Sequence, residues 1–132
     1  MARRLILDTN TLIAYERGAI DRSPLDADDL AIATITVAEF RTGIELADSA
    51  ERAAERARVL AAITSAVTVL DYTERTAAEH ARLLAHVRRS GTPRGAHDLI
   101  IAAHALEHGR AVASRDARAR FGDLPGVAVV HV

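Results

Sequence analysis

Residues 5–13 read LILDTNTLI, three strand-forming apolar residues that stop at Asp8 and give way at once to a polar, helix-starting stretch. An aspartate at the C-terminal end of a buried strand either caps the helix that follows or takes part in chemistry. The rest of the chain repeats the pattern. Short apolar runs at 31–33, 67–70, 111–113 and 127–130 are continuous rather than alternating, as parallel strands covered on both faces are. Between them, helical spacing covers 11–17, 37–47, 50–66, 74–90 and 96–108, with a short segment near 117–121. Gly91 and Gly109 stand where C-terminal glycine caps belong, and Pro93 keeps the helices on either side of it from fusing. Strands alternating with helices predict a three-layer α/β/α fold around a central parallel sheet of about five strands. No repeat, linker or low-complexity stretch divides the chain, so residues 1–132 are expected to form one domain.

Composition narrows the chemistry. The chain has no cysteine, which removes disulfides, thiol nucleophiles and thiolate metal sites. Seventeen basic residues against 18 acidic ones give a formal charge of −1, so any nucleic-acid contact has to be local. All the basic residues are arginine, and mechanisms that need a lysine are excluded. Asp8 interrupts the first apolar run too early for a signal peptide, and no segment reaches membrane-spanning length. A soluble, cytoplasmic protein is expected.

Four acids invite a common reading: Asp8 in LILDTN, Glu39 in TITVAEF, Asp98 in GAHDLIIAAHAL and Asp116 in AVASRDARARF. Each has a local explanation. Asp8 and Asp116 can cap the helices after them, Thr36 and Glu39 have the spacing of a capping box, and Asp98 lies in the first turn of its helix. Yet helix starts in a parallel α/β sheet share its C-terminal edge, where such folds bind ligands. Two carboxylates about 4 Å apart repel by roughly 4 kcal/mol near a protein surface, so four that converge need a cation. An oxygen-only site suits Mg2+ or Mn2+, and such an ion polarises a phosphodiester and activates water for its hydrolysis.

In order and spacing, LDTNTLI, the T-x-x-E helix with EFRTGI, the HDLIIAAHAL helix and the S-R-D near the C-terminus resemble the PIN-domain nucleases, in the short form of the VapC-type toxins. The resemblance implies that Asp8, Glu39, Asp98 and Asp116 are the catalytic acids and hold Mg2+ or Mn2+. It implies cleavage of tRNA, rRNA or mRNA, blocking translation. Asn10 and Ser114 match polar positions lining the same pocket, with Ser114 where many relatives carry threonine. A homodimer and a cognate antitoxin protein that occludes the site are also implied.

Rival readings meet specific obstacles. A haloacid dehalogenase-like phosphatase would use Asp8 as nucleophile, but its second aspartate is here Asn10, and Gly122-Asp123 only faintly echoes its later acidic motif. A receiver-type signalling domain needs paired acids after the first strand and a late lysine. A catalytically silent PIN-like binding module would keep the acids as caps. His104 and His108 are four apart, yet the zincin pattern wants glutamate at 105, which is alanine, and about 600° of helical rotation turns His104 away from Asp98. They are expected on a solvated face or as helix-end cations. His97 is a candidate substrate contact. Among the arginines, Arg115 and Arg118 flank Asp116 and are the preferred RNA-phosphate contacts, while Arg88, Arg89, Arg94, Arg110 and Arg120 read as surface. Leu99, Ile100, Ala103 and Leu106 should cover the sheet; Tyr15, Leu46, Leu83, Leu84 and Val87 are open to a core or an interface role.

Overall fold

The computed structural model describes residues 2–115 and 119–132. Its elements run β1 (Arg4–Leu7), α1 (Thr9–Glu16), β2 (Asp29–Ala33), α2 (Thr34–Glu45), α3 (Ala50–Ala66), β3 (Thr68–Leu70), α4 (Glu74–Ser90), α5 (Ala96–His108), β4 (Ala111–Ser114) and β5 (Val129–His131). Short 3-10 turns lie at Ser23–Leu25 and Phe121–Asp123. All four strand pairings are parallel, in the order β3-β2-β1-β4-β5. The predicted α/β class and five-stranded sheet are therefore observed.

Alternation along the strands builds two cores. Ile6, Ala31 and Ala33 face one side with Leu83 of α4 and Leu99 and Ile101 of α5; Leu5, Leu7 and Ile32 face the other with Leu12 of α1 and Ile63 of α3. Because successive side chains point to opposite faces, a continuous apolar run is what a strand covered twice requires. Leu83 is thereby assigned to the core, while Leu46 is 78% exposed. On α5 the covering residues are Leu99, Ile101, Ala102, Ala103 and Ala105; Ile100 and Leu106 are only half-buried.

Helix ends follow local chemistry with one exception. Gly91 and Gly109 close α4 and α5 in the left-handed region, at φ 69° and 62°. Thr73 and Thr76 form a capping box at the start of α4. The box expected from Thr36 and Glu39 does not form: α2 begins at Thr34 behind Ala33, and Thr36 is fully buried inside the helix. Direct passage from β2 into α2 leaves no room for a cap two residues later, so Glu39 has other partners.

β1 is the centre of the sheet, and the strand order reverses there: β2 and β3 lie to one side, β4 and β5 to the other. In open parallel sheets this reversal opens a crevice outside the C-terminal ends of the strands. Asp8 follows β1 and Ser114 ends β4, so the two residues meet at that crevice.

Candidate active site

Asp8 fills both of the roles open to it from the sequence. Its backbone is extended, and its Oδ1 accepts the Thr11 amide hydrogen bond at 2.8 Å, which caps α1. Its Oδ2 accepts the Ser114 hydroxyl at 2.6 Å across the β1–β4 pair. Both residues are buried, at 4% and 2% exposure. A carboxylate this deep is ordinarily paired with a cation. Here the described residues supply two neutral donors and the positive end of α1, so the negative charge is oriented without being neutralised.

Thr9, one residue on, ties the second element to the first. Its hydroxyl donates to Glu39 Oε1 at 2.8 Å and lies 3.3 Å from the Thr36 hydroxyl. The same Glu39 oxygen stands 3.3 Å from His97 Nδ1, in the first turn of α5. Thr9, Glu39 and His97 thus join α1, α2 and α5 at one edge, and Asp98 follows His97 in the chain. Asp98 is half-buried and close beneath the Gly95 backbone: a Cβ on Gly95 would come within 2.9 Å of Asp98 Oδ2. Residue types alone point to His97 as a substrate contact but do not single out Thr9 as a member of the cluster. Thr9 carries a signal in hindsight, a hydroxyl directly after the strand-ending aspartate.

The structure therefore brings Asp8, Ser114, Glu39 and Asp98 to the edge predicted for them. Asn10 is exposed on the first turn of α1. Arg115 is exposed just past β4, its amide bonded to the Thr11 hydroxyl at 3.1 Å. Asp116 and Arg118 lie outside the described residues. Two arginines expected at the surface are structural instead. Arg110, 7% exposed, donates to the carbonyls of Leu5 and Asp29, and Arg94 donates to those of Ala119 and Arg120. Asp123, the faint echo of a phosphatase motif, is exposed beside Phe121.

The donors are of the right kind for a hard divalent ion: carboxylates and hydroxyls, with one carboxylate buried beside neutral donors only. Ligands on one Mg2+ stand about 3–4 Å apart. The oxygens of Asp8, Glu39 and Asp98 do not all lie within 4.8 Å of one another; among the described residues only His104, Glu107 and His108 form such a trio. Repulsion among carboxylates and the hold of Thr9 and His97 on Glu39 account for the spread, and closing on one ion takes side-chain rotation. Beside Glu39 a groove of about 390 Å3 runs between α1, α2 and α3, lined by Thr9, Ile13, Arg17, Phe40 and Val59 among others.

The chain is similar to known proteins over nearly its whole length. The PIN domain family model matches residues 5–126. The chain is 31% identical over 130 residues to the tRNA(fMet)-specific endonuclease VapC of Salmonella typhimurium, covering 96% of each. It is 32% identical over 127 residues to ribonuclease VapC5 of Mycobacterium tuberculosis, covering 96% of this chain and 92% of that protein. The solved structure of DNA-bound VapBC from Salmonella typhimurium superposes with a TM-score of 0.84 at 30% identity, over 99% of this chain and 98% of the other.

Proposed function

The chain belongs to the PIN domain family, and from that premise we propose that it is a metal-dependent endoribonuclease toxin, held in check by a cognate antitoxin. One observation carries the reading: the buried Asp8 at the strand reversal, held among the described residues by neutral donors that include Ser114, with Glu39 and Asp98 at the same edge. Its curated relatives bear the names ribonuclease and tRNA(fMet)-specific endonuclease, and its structural neighbour is a VapBC complex.

In this reading Asp8 and Asp98 hold Mg2+ or Mn2+ together with Asp116, and Glu39 completes the shell or orients water. The ion supplies Lewis-acid polarisation of the phosphodiester and a more acidic water. The chain's own residues do the rest. Ser114 and the Thr11 amide fix the Asp8 carboxylate, so it does not reorganise when charge develops. Glu39, paired with Thr9 and His97, is placed to accept or pass a proton at the mouth of the site. His97, with its side chain 51% exposed, and Arg115 stand at the rim, where RNA phosphates arrive. Asn10 lines the approach, and Arg118 joins Arg115 as a phosphate contact.

An antitoxin segment fits the groove between α1, α2 and α3, because its apolar walls end at Glu39 and its rim carries Arg17 and Arg56 beside Glu16 and Glu55. The active form is a homodimer of the full 132-residue domain, working in the cytoplasm; no described helix is long and apolar enough to cross a membrane.

The test pairs wild-type protein with Asp8→Asn on tRNA, rRNA and unstructured RNA, with Mg2+, Mn2+ or chelator. Metal-dependent cleavage by the wild type alone supports the reading. Equal cleavage by both proteins removes Asp8 from the site, and failure of the wild type to bind metal reduces the acids to helix caps.

A further inference from the structure

At the far end of α5 the sequence His104-Ala105-Leu106-Glu107-His108 places three donor side chains on one helical face. His104 is fully buried, and neither of its ring nitrogens has a hydrogen-bond partner. That is unusual: a buried imidazole normally satisfies at least one nitrogen, and leaving both unmet costs free energy. Glu107 Oε1 lies 3.9 Å from His104 Nδ1 and 3.3 Å from His108 Nε2, and the three ligand atoms all fall within 4.8 Å of one another.

We propose that His104, Glu107 and His108 form a zinc site, separate from the acidic edge, at the C-terminal end of α5 where it packs against the start of α4. Donors on a tetrahedral Zn2+ at ordinary bond lengths stand about 3.3 Å apart, so of the three separations the Glu107–His108 one already matches, while the His104–Glu107 and His104–His108 ones must come within that range for the ion to bind. Two imidazoles and one carboxylate leave a fourth position for water, and this donor set selects zinc over Mg2+. The expectation that His104 sits on a solvated face is overturned by its burial, while His108 stands partly exposed in the last turn of α5. The zincin test asked for glutamate beside the first histidine; here it stands beside the second, an order that other zinc proteins use.

The surroundings are built to hold the donors. Thr76 Oγ1 donates to Glu107 Oε1 at 2.5 Å and Thr73 Oγ1 to Oε2 at 3.3 Å, so α4 orients the carboxylate from behind. The Tyr72 ring packs edge-on against His104 and bonds His80 Nδ1 at 2.8 Å. The rings of His104 and His108 stack 14° from parallel. Entry is from the His108 side, whose side chain is 33% exposed, against 9% for Glu107. Burial holds His104 below its ordinary pKa, against the pull of Glu107 and Asp71 and with His108 and His80 adding to the shift.

The experiment is calorimetric titration of tag-free protein with Zn2+ in excess Mg2+, on wild type, Asp8→Asn, Glu107→Gln and His108→Ala, with thermal melting in parallel. Expected are one Zn2+ per chain on wild type and Asp8→Asn, a rise in Tm on loading, and an affinity at least about tenfold lower in both Glu107→Gln and His108→Ala. The exposed edge of His108 and the isosteric Glu107→Gln change keep the fold available for comparison, as circular dichroism will show. Absence of zinc binding, a loss below tenfold in either variant, or loss in Asp8→Asn instead overturns the site.

Discussion

The two ends of α5 hold different kinds of polar cluster. At its N-terminus, His97 and Asp98 join Asp8, Glu39 and Ser114 in an edge where each carboxylate with a described partner is held by hydroxyls, an amide or a histidine. At its C-terminus, His104 has no hydrogen-bond partner and sits in a tight trio with Glu107 and His108. One end is an oxygen-rich crevice open to a large substrate. The other is a cluster of two histidines and a glutamate against α4, reached from the exposed side of His108. The same helix therefore offers donors suited to a hard cation at one end and to a borderline one at the other, because its first turn faces the strand reversal and its last turns face a neighbouring helix.

The largest expected effect breaks the first end alone. Asp8→Asn should lower RNA cleavage by on the order of 10²–10³-fold. Asparagine caps a helix as well as aspartate does, so Tm should hold, or rise once a buried charge is gone. A melt far below wild type would show Asp8 to be mainly structural.

Ser114→Ala removes the hydroxyl that meets Asp8 Oδ2 and leaves that oxygen short of a donor. Stability should fall by about 1–3 kcal/mol, and cleavage by about tenfold through the displaced carboxylate. Denaturant unfolding and initial rates on one RNA measure both quantities, and an unchanged rate would detach Ser114 from the site.

His104→Leu probes the opposite end. Deleting two unpaired buried nitrogens should stabilise the metal-free protein by about 1 kcal/mol while abolishing the rise in Tm on adding Zn2+. A destabilised variant would mean that the imidazole is satisfied in solution.

Gly95→Ala acts on Asp98 by crowding, since the new Cβ meets Oδ2, the far end of a side chain that can swing away. Folding should lose under about 1 kcal/mol, as at other glycine N-caps, while cleavage falls several-fold. Equal activity would mean that Asp98 works from the displaced position.

The smallest effect belongs to neither cluster. Arg3 donates from Nε and Nη2 to Asp28, and these hydrogen bonds hold the carboxyl below its ordinary 3.8. A depressed folded pKa contributes stability that is present above the unfolded value and lost as pH falls through the folded one. Melting below about pH 4 should therefore be less steep in Asp28→Asn than in wild type. Identical acid limbs would assign the acid sensitivity to other carboxylates, such as those of the acidic edge.

Much of this molecule is legible along the chain, because strand alternation, helical spacing and glycine caps are local properties. The helices at Ala50–Ala66, Glu74–Ser90 and Ala96–His108 were predicted to the residue, and Gly91 and Gly109 adopt the left-handed conformation that only glycine enters without strain. Asp8 and Asp98 lie at one edge because helix starts share one edge of a parallel sheet, whereas Glu39, the sixth residue of α2, reaches it through its contacts with Thr9 and His97. Thr36 misled because its spacing to Glu39 is that of a capping box, while the length of β2 decides where α2 starts.

By itself, then, the sequence determined the order of strands and helices, the parallel sheet and the edge to which the acids are delivered; each follows from short-range periodicity and the geometry of a crossover. Only the tertiary structure decided which face of each helix is covered. It buried His104 and Arg110, covered the Arg94 side chain, turned Glu39 toward Thr9 and His97, and set Ser114 against Asp8 from 106 residues away. Such pairings depend on the packing angle and register of elements distant in the chain, and helical or strand spacing carries no record of either.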